Sequence, residues 1–247
     1  MPKSNVNKRR INVIALIVII LVVYLVGSFI YYLAALPIKN IYIKGNYYLS
    51  DAEIIETSGI KNYPPLLKIS RGKIKKKLKR NNYINDVKVR KKLNGTIIIT
   101  VSESKPLFYN RSTNKIVLLN KKEVENNIDE RIPSLINIVP SDLYDSLVGA
   151  FNKVDYNIIL QISEIEYYPD IINDKIIDPE RFQLRMIDGN SVYINPVNIK
   201  KLNQYFDLYD KVPDGMKGIF YLDSNNGNVM FKKYGSKVVS EVVQGEE

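Results

Sequence analysis

Asn85-Asp86-Val87-Lys88-Val89-Arg90-Lys91-Lys92-Leu93-Asn94-Gly95-Thr96-Ile97-Ile98-Ile99-Thr100-Val101 reads as two strands joined by a tight turn. Val87 and Val89 point one way between cations, and Ile97, Ile99 and Val101 alternate with Ile98 and Thr100. That period of two is what a strand with one buried face requires. Asn94-Gly95 makes the turn between them.

Upstream, Ile41-Tyr42-Ile43 alternates with Asn40 and Lys44 and stops at Gly45-Asn46, a third short strand. Ser50-Asp51-Ala52-Glu53 has the spacing of a helix N-terminal capping box, and Gly59 stops that helix. Tyr63-Pro64-Pro65-Leu66-Leu67-Lys68-Ile69 cannot be helical at its prolines. A second helix follows from about Arg71, with Ile74 and Leu78 one turn apart on one face. The order strand, helix, helix, strand, strand predicts a three-stranded sheet covered on one face by two helices.

Val13 to Ile30 (VIALIVIILVVYLVGSFI) carries no charge, and the apolar run extends to Leu36. About 20 such residues span a hydrocarbon core about 30 Å thick. A cleaved secretory signal would have a shorter apolar region ending in a small-x-small site, and Ala34-Ala35 after two tyrosines fits that poorly. Lys3, Lys8, Arg9 and Arg10 precede the span without an acid, so Met1 to Arg10 is expected inside and the chain after Pro37 outside. The 247 residues include no Cys and no His. Disulfides, Cys or His zinc sites and His-dependent nucleophiles are therefore excluded.

The net charge is +10, and the whole excess lies between Arg71 and Lys92, where eleven cations face the single anion Asp86. Inside a cell such a run suggests nucleic acid, but an outside location leaves anionic lipid headgroups, wall polymers or an acidic partner as targets. A merely solvated face is the alternative. The basic surface is placed on Lys75, Lys76, Lys79, Lys88 and Arg90.

Further along, Lys115 to Leu119 and Glu123-Val124 flank a turn at Asn120-Lys121-Lys122, followed by Arg131-Ile132-Pro133-Ser134-Leu135. A helix is expected from Ser141 to about Asn152, and strands over Ile162 to Tyr167 and Phe182 to Ile187. Asp188-Gly189-Asn190 closes a hairpin onto Val192-Tyr193-Ile194. Ile199, Leu202, Phe206 and Tyr209 give a helical stripe. Gly218 to Leu222 and Asn228 to Lys232 form a last hairpin around Asp223-Ser224-Asn225-Asn226-Gly227, and the chain after about Tyr234 reads as a tail.

Carboxylates are the catalytic groups that remain, and Glu164, Glu166, Asp170, Asp174, Asp178, Glu180 and Asp188 raise a wall glycosidase. Glu164 and Glu166 share one strand face, Asp188 sits in a turn and Asp178 starts one before Pro179. No serine is framed as a nucleophile and no Asp-x-Asp-x-Asp-Gly calcium pattern occurs. The sequence assigns no catalytic, metal or cofactor-binding residue.

The strand and helix order resembles the POTRA module. The phrases Ile41-Tyr42-Ile43-Lys44-Gly45-Asn46, Pro65-Leu66-Leu67-Lys68-Ile69, Asn85 to Asn94 and Val101-Ser102-Glu103-Ser104-Lys105-Pro106 resemble the FtsQ/DivIB family of bacterial division proteins. The resemblance implies an α+β chain: cytoplasmic tail 1–10, transmembrane helix 11–36, POTRA domain 37–106, β domain 107–234 and C-terminal tail 235–247. It implies a non-catalytic scaffold in the cell membrane at the division septum, binding FtsL-like and DivIC/FtsB-like single-span partners and acting on septal peptidoglycan synthesis. The family's docking strands map onto Gly218, Ile219, Phe220, Tyr221 and Leu222 with Asn228, Val229, Met230, Phe231 and Lys232. A membrane-anchored wall hydrolase and a POTRA-type export component are the alternatives.

Overall fold

In a computed structural model of the protein, residues 12–213, 215–224, 228–237 and 240–242 are described. The expected tail 1–10 lies outside them, as do Asn225-Asn226-Gly227 of the last expected turn and part of the expected tail 235–247. The chain forms two compact units, Met1–Glu103 and Ser104–Glu247.

The first unit begins with α1 (Val13–Ala35), capped by the Asn12 side chain. Its apolar stretch Val13–Leu33 is long enough to cross a membrane, and none of it is buried by the rest of the chain. Then come β1 (Asn40–Lys44), α2 (Asp51–Ser58), a 3-10 turn at Leu66–Lys68, α3 (Arg71–Leu78), β2 (Ile84–Lys92) and β3 (Thr96–Glu103). The sheet order is β1-β3-β2, with β1 parallel and β2 antiparallel to β3. Ser50 and Ser70 accept from the third backbone N–H of α2 and α3, satisfying donors that helix starts leave unpaired. Ile74 and Leu78 of α3 are buried with Ile54, Val87, Ile97, Ile99 and Val101. The Glu103 carboxylate accepts from the backbone N–H of Tyr47, Tyr48 and Leu49, tying the loop after β1 to the end of β3. Gly45 is required there: its φ is +80°, and a Cβ would lie 2.3 Å from the Val101 carbonyl oxygen.

The second unit carries β4 (Pro106–Asn110), β5 (Lys115–Leu118), β6 (Glu123–Glu125), β7 (Ser134–Leu135), α4 (Ser141–Phe151), α5 (Tyr156–Ile159) and β8 (Ile162–Tyr167). After these come β9 (Asp170–Ile172), β10 (Lys175–Asp178), β11 (Phe182–Met186) and β12 (Ser191–Ile194). A 3-10 segment at Ile199–Gln204 continues into α6 (Tyr205–Tyr209), followed by β13 (Gly218–Tyr221), β14 (Val229–Lys233) and β15 (Ser240–Val242). Among the described residues ten strands make one mixed sheet, ordered β15-β14-β13-β12-β11-β8-β7-β4-β5-β6. The two-residue β7 joins its halves through parallel pairs to β4 and β8. Phe182, Leu184, Val192, Ile194 and Phe220 share one core with Leu147 and Phe151 of α4 and with Ile158 and Ile159 of α5.

Three features differ from the sequence reading. The stripe expected on Ile199, Leu202, Phe206 and Tyr209 is instead Ile199, Leu202, Tyr205 and Leu208, with Phe206 exposed. Because the segment starts as a 3-10 helix, every third residue returns to the same face. The turn that lacks glycine at Asn120-Lys121-Lys122 is made by Lys121 at φ +68°, with the Asn120 side chain accepting from the Lys122 N–H. Ser240–Val242, expected in a tail, is a strand paired antiparallel to β14.

Candidate partner-binding sheet edge

The expected docking residues fall on β13 and β14, and strand alternation divides them. Phe220 (0% exposed) lies opposite Phe231 (6%), with ring centroids 4.8 Å apart, and both belong to the core. Leu222 and Val229 are buried as well. These four side chains hold the fold and are not free to touch a partner. Ile219, Tyr221, Met230 and Lys232 point to the other face and are half-buried, while Asn228 is exposed.

Gly218 starts β13 with its N–H donated to the buried Asn190 side chain, 3.0 Å away. A Cβ on it would lie 2.2 Å from the Lys232 carbonyl oxygen, so only glycine lets β13 and β14 approach here. Asn190 in turn donates to the Tyr205 hydroxyl at 3.1 Å, and that hydroxyl donates to Asp188 at 2.8 Å. Burial, then the bond to Asp188, pushes the Tyr205 hydroxyl far up from its ordinary value. The network fixes the β11–β12 turn, α6 and the start of β13 to one another.

Across the outer face, Tyr193, Tyr221 and Met230 stand side by side on β12, β13 and β14. Tyr221 meets Tyr193 edge-on at 5.2 Å, and Tyr168 stacks on Tyr193 at 5.6 Å. Arg181, with its side chain 9% exposed, lies 4.6 Å from the Tyr193 ring. It pairs with Asp170 at 3.0 Å and more loosely with Asp223 at 3.9 Å. Its Nε donates to the Tyr168 carbonyl. Burial pushes Tyr193 up to about 12, helped by its tyrosine neighbours, and burial also raises the Asp223 carboxyl despite the opposing guanidinium. Sequence reasoning did not single out Arg181, Tyr168 or Tyr193.

β14 was expected to be the terminal strand. It is not: β15 pairs with it through Val229↔Val242, Met230↔Glu241 and Phe231↔Ser240, and is the last strand of the sheet among the described residues. The sequence reading missed it because three residues are too few to show a period.

The five residues of the expected basic surface are all exposed. Lys75 and Lys76 lie on α3 and Lys79 caps its C-terminus, and Lys75 and Lys79 both close on Asp86 Oδ1, at 3.2 and 3.1 Å. Those two hydrogen bonds hold the Asp86 carboxyl at about 2. Lys88 and Arg90 pair across the sheet with Thr100 and Ile98, on the face opposite the buried Val87 and Ile99. Five of the seven carboxylates weighed for hydrolysis, Glu164, Glu166, Asp170, Asp178 and Asp188, are engaged in ion pairs or hydrogen bonds. Glu164 binds Arg111 and Arg185, Glu166 binds Arg185, and Asp178 accepts from the Glu180 N–H and the Asn195 side chain.

Comparison with known proteins bears on this architecture. Residues 36–104 match the POTRA domain, FtsQ-type. The chain is 24% identical over 226 residues to the cell division protein DivIB of Listeria monocytogenes, covering 88% of this chain and 81% of that one. It is 26% identical to DivIB of Bacillus anthracis, over 90% of this chain and 82% of the relative. The cell division protein FtsQ of Rickettsia bellii is 22% identical over 70% of this chain and 63% of its own. The solved extracytoplasmic domain of DivIB from Geobacillus stearothermophilus aligns with 44% of this chain and 89% of its own at 18% identity and a TM-score of 0.33, too loosely to carry weight. With its apolar N-terminal helix, FtsQ-type POTRA domain and β-rich second unit, the chain is similar to the DivIB and FtsQ cell-division proteins.

Proposed function

We propose that the protein is a non-catalytic scaffold of the division machinery. In this reading residues 1–10 are cytoplasmic and everything after residue 37 is extracytoplasmic at the septum, as a POTRA domain to about residue 106 and a β domain beyond it. The outer region binds FtsL-like and DivIC/FtsB-like single-span partners and through them bears on septal peptidoglycan synthesis. The sequence relatives support the divisome role, and the unequal flanking charge supports the orientation. Protease added to intact spheroplasts should digest the chain beyond Pro37 and leave a membrane-held N-terminal fragment. A full-length chain that resists digestion until the membrane is opened would reverse the orientation.

The docking reading rests on the row Tyr193, Tyr221 and Met230, which runs across three strands toward the last strand of the sheet. A terminal strand offers backbone N–H and C=O groups to which an extended segment adds as one more strand. β15 takes that role here, and the aromatic row beside it supplies anchors of the type that dominate binding hot spots. Tyr221→Ala and Met230→Ala remove outward side chains without opening the core. Each is expected to weaken binding of a purified DivIC-like partner by more than about 1 kcal/mol while leaving the melting curve in place. Unchanged affinity in both folded variants would move the interface off this edge.

A further inference from the structure

Two loops of the first unit are fastened to the exit of α1. The Leu36 carbonyl accepts from the Leu66 N–H at 2.9 Å, the Ile38 N–H donates to the Pro64 carbonyl at 3.3 Å, and Pro37 bridges to Pro65 between them. One residue further on, the Lys39 N–H donates to the Gly95 carbonyl at 2.8 Å. The 3-10 turn and the tip of the β2–β3 hairpin are thus bonded to the chain within four residues of the end of α1. An extended residue covers at most about 3.6 Å, so these loops are held within about 14 Å of the end of α1, beside the headgroup zone of any bilayer that α1 crosses.

What they present there is unusual for a soluble surface. Leu93, at the hairpin tip, is 91% exposed, and Leu67, on the 3-10 turn, is 53% exposed. Lys39, Lys68 and Lys92 are exposed beside them. Lys91 is turned inward instead, donating to the Leu66 and Ile69 carbonyls at 3.0 and 2.7 Å, which stiffens the turn that carries Leu67. The segments 36–44, 61–71 and 88–96 contain no acidic residue. Leucine tips ringed by lysines, without acids, suit an interface that is apolar below and anionic at its surface.

We propose that this end of the first unit seats on the bilayer. Leu67 and Leu93 enter the leaflet from which α1 emerges, and Lys39, Lys68 and Lys92 meet its anionic headgroups. The seat would restrain how the outer region can tilt about the span. It rests on the reading of α1 as a membrane helix, and it is separate from the docking edge on the second unit.

The absence of cysteine makes the test direct. Leu67→Cys, Leu93→Cys, Lys44→Cys and Val23→Cys, each in the full-length chain, would carry a polarity-sensitive fluorophore in vesicles of phosphatidylcholine with phosphatidylglycerol. Lys44 lies at the far end of β1, opposite Thr100, and Val23 lies within α1. Labels at Leu67 and Leu93 should shift to the blue, be quenched by nitroxides on the lipid chains and resist aqueous iodide, whereas the Lys44 label should not. Leu67→Asp in the chain labelled at position 93 should return that label to iodide, which excludes insertion driven by the dye alone. Replacing phosphatidylglycerol with phosphatidylcholine should weaken the protection, and equal protection in both lipids would remove the lysines from the seat. Labels at Leu67 and Leu93 as open to iodide as the one at Lys44, with Val23 still protected, would overturn the proposal. An iodide-accessible Val23 would instead remove the membrane span on which it rests.

Discussion

Phe220→Ala is expected to destabilise the second unit by about 3 to 5 kcal/mol, the range for truncating a large aromatic in a closed core. Phe220 is fully buried, 4.8 Å from the Phe231 ring and 5.5 Å from the Tyr205 ring. It sits on β13 between β12 and β14, whose backbones are held in register on both sides and cannot collapse into the space left behind. Loss of near-ultraviolet circular dichroism on denaturant titration of the purified chain would report the change. Because the neighbouring Tyr221 points to the opposite face, Tyr221→Ala should leave that curve within about 1 kcal/mol of the parent and act on partner binding instead. A Phe220→Ala loss below about 1 kcal/mol would mean that the assigned faces of β13 are reversed.

The alternation that separates Phe220 from Tyr221 is also why much of the fold was legible. β2 and β3 declare themselves by Val87, Ile97, Ile99 and Val101 around Asn94-Gly95, and α2 by Ser50 and Gly59, because local sterics and capping act over four or five residues. β9 and β10 show the limit. Asn173 and Asp174 both have positive φ, the chemistry of a two-residue hairpin turn, yet they join Ile171-Ile172 to Ile176-Ile177, all exposed. Strands with no buried face carry no alternation, so the turn signal had nothing on either side to confirm it.

The candidate edge was legible in part for the same reason. Its hairpin and its inward and outward residues follow from the period of β13 and β14. β15 and the β7 bridge did not, since segments of two or three residues are fixed by the strands beside them rather than by their own pattern. Arg181 was the least legible of all. It is one of many cations on a basic chain, and only the fold brings Asp223, from a distant part of the sequence, to its guanidinium beside Asp170.

Arg181→Met tests how much depends on that convergence. Removing one member of a buried ion pair leaves the other charge desolvated, at a cost of about 3 to 5 kcal/mol where burial is complete. Asp170 and Asp223 keep 25% and 15% of their side-chain surface, so a loss of about 2 to 3 kcal/mol is expected. The loss should depend on pH in a defined direction. Burial already raises the Asp223 carboxyl above 3.8 while Arg181 opposes the rise, so the substitution raises it further. A carboxyl whose folded pKa exceeds its unfolded one favours the folded state in its protonated form. That contribution is present below the unfolded value of 3.8 and is lost as pH rises through the folded pKa. The deficit of the variant should therefore be full at neutral pH and shrink as pH falls toward 3.8, in denaturation curves of both proteins taken at matched pH. Arg181→Met also removes the cation beneath Tyr193 and Tyr168, so the outward tyrosine row should lose order and partner binding should weaken with it. A deficit that stays constant with pH would assign the effect to lost packing of the guanidinium against those rings rather than to the stranded carboxylate.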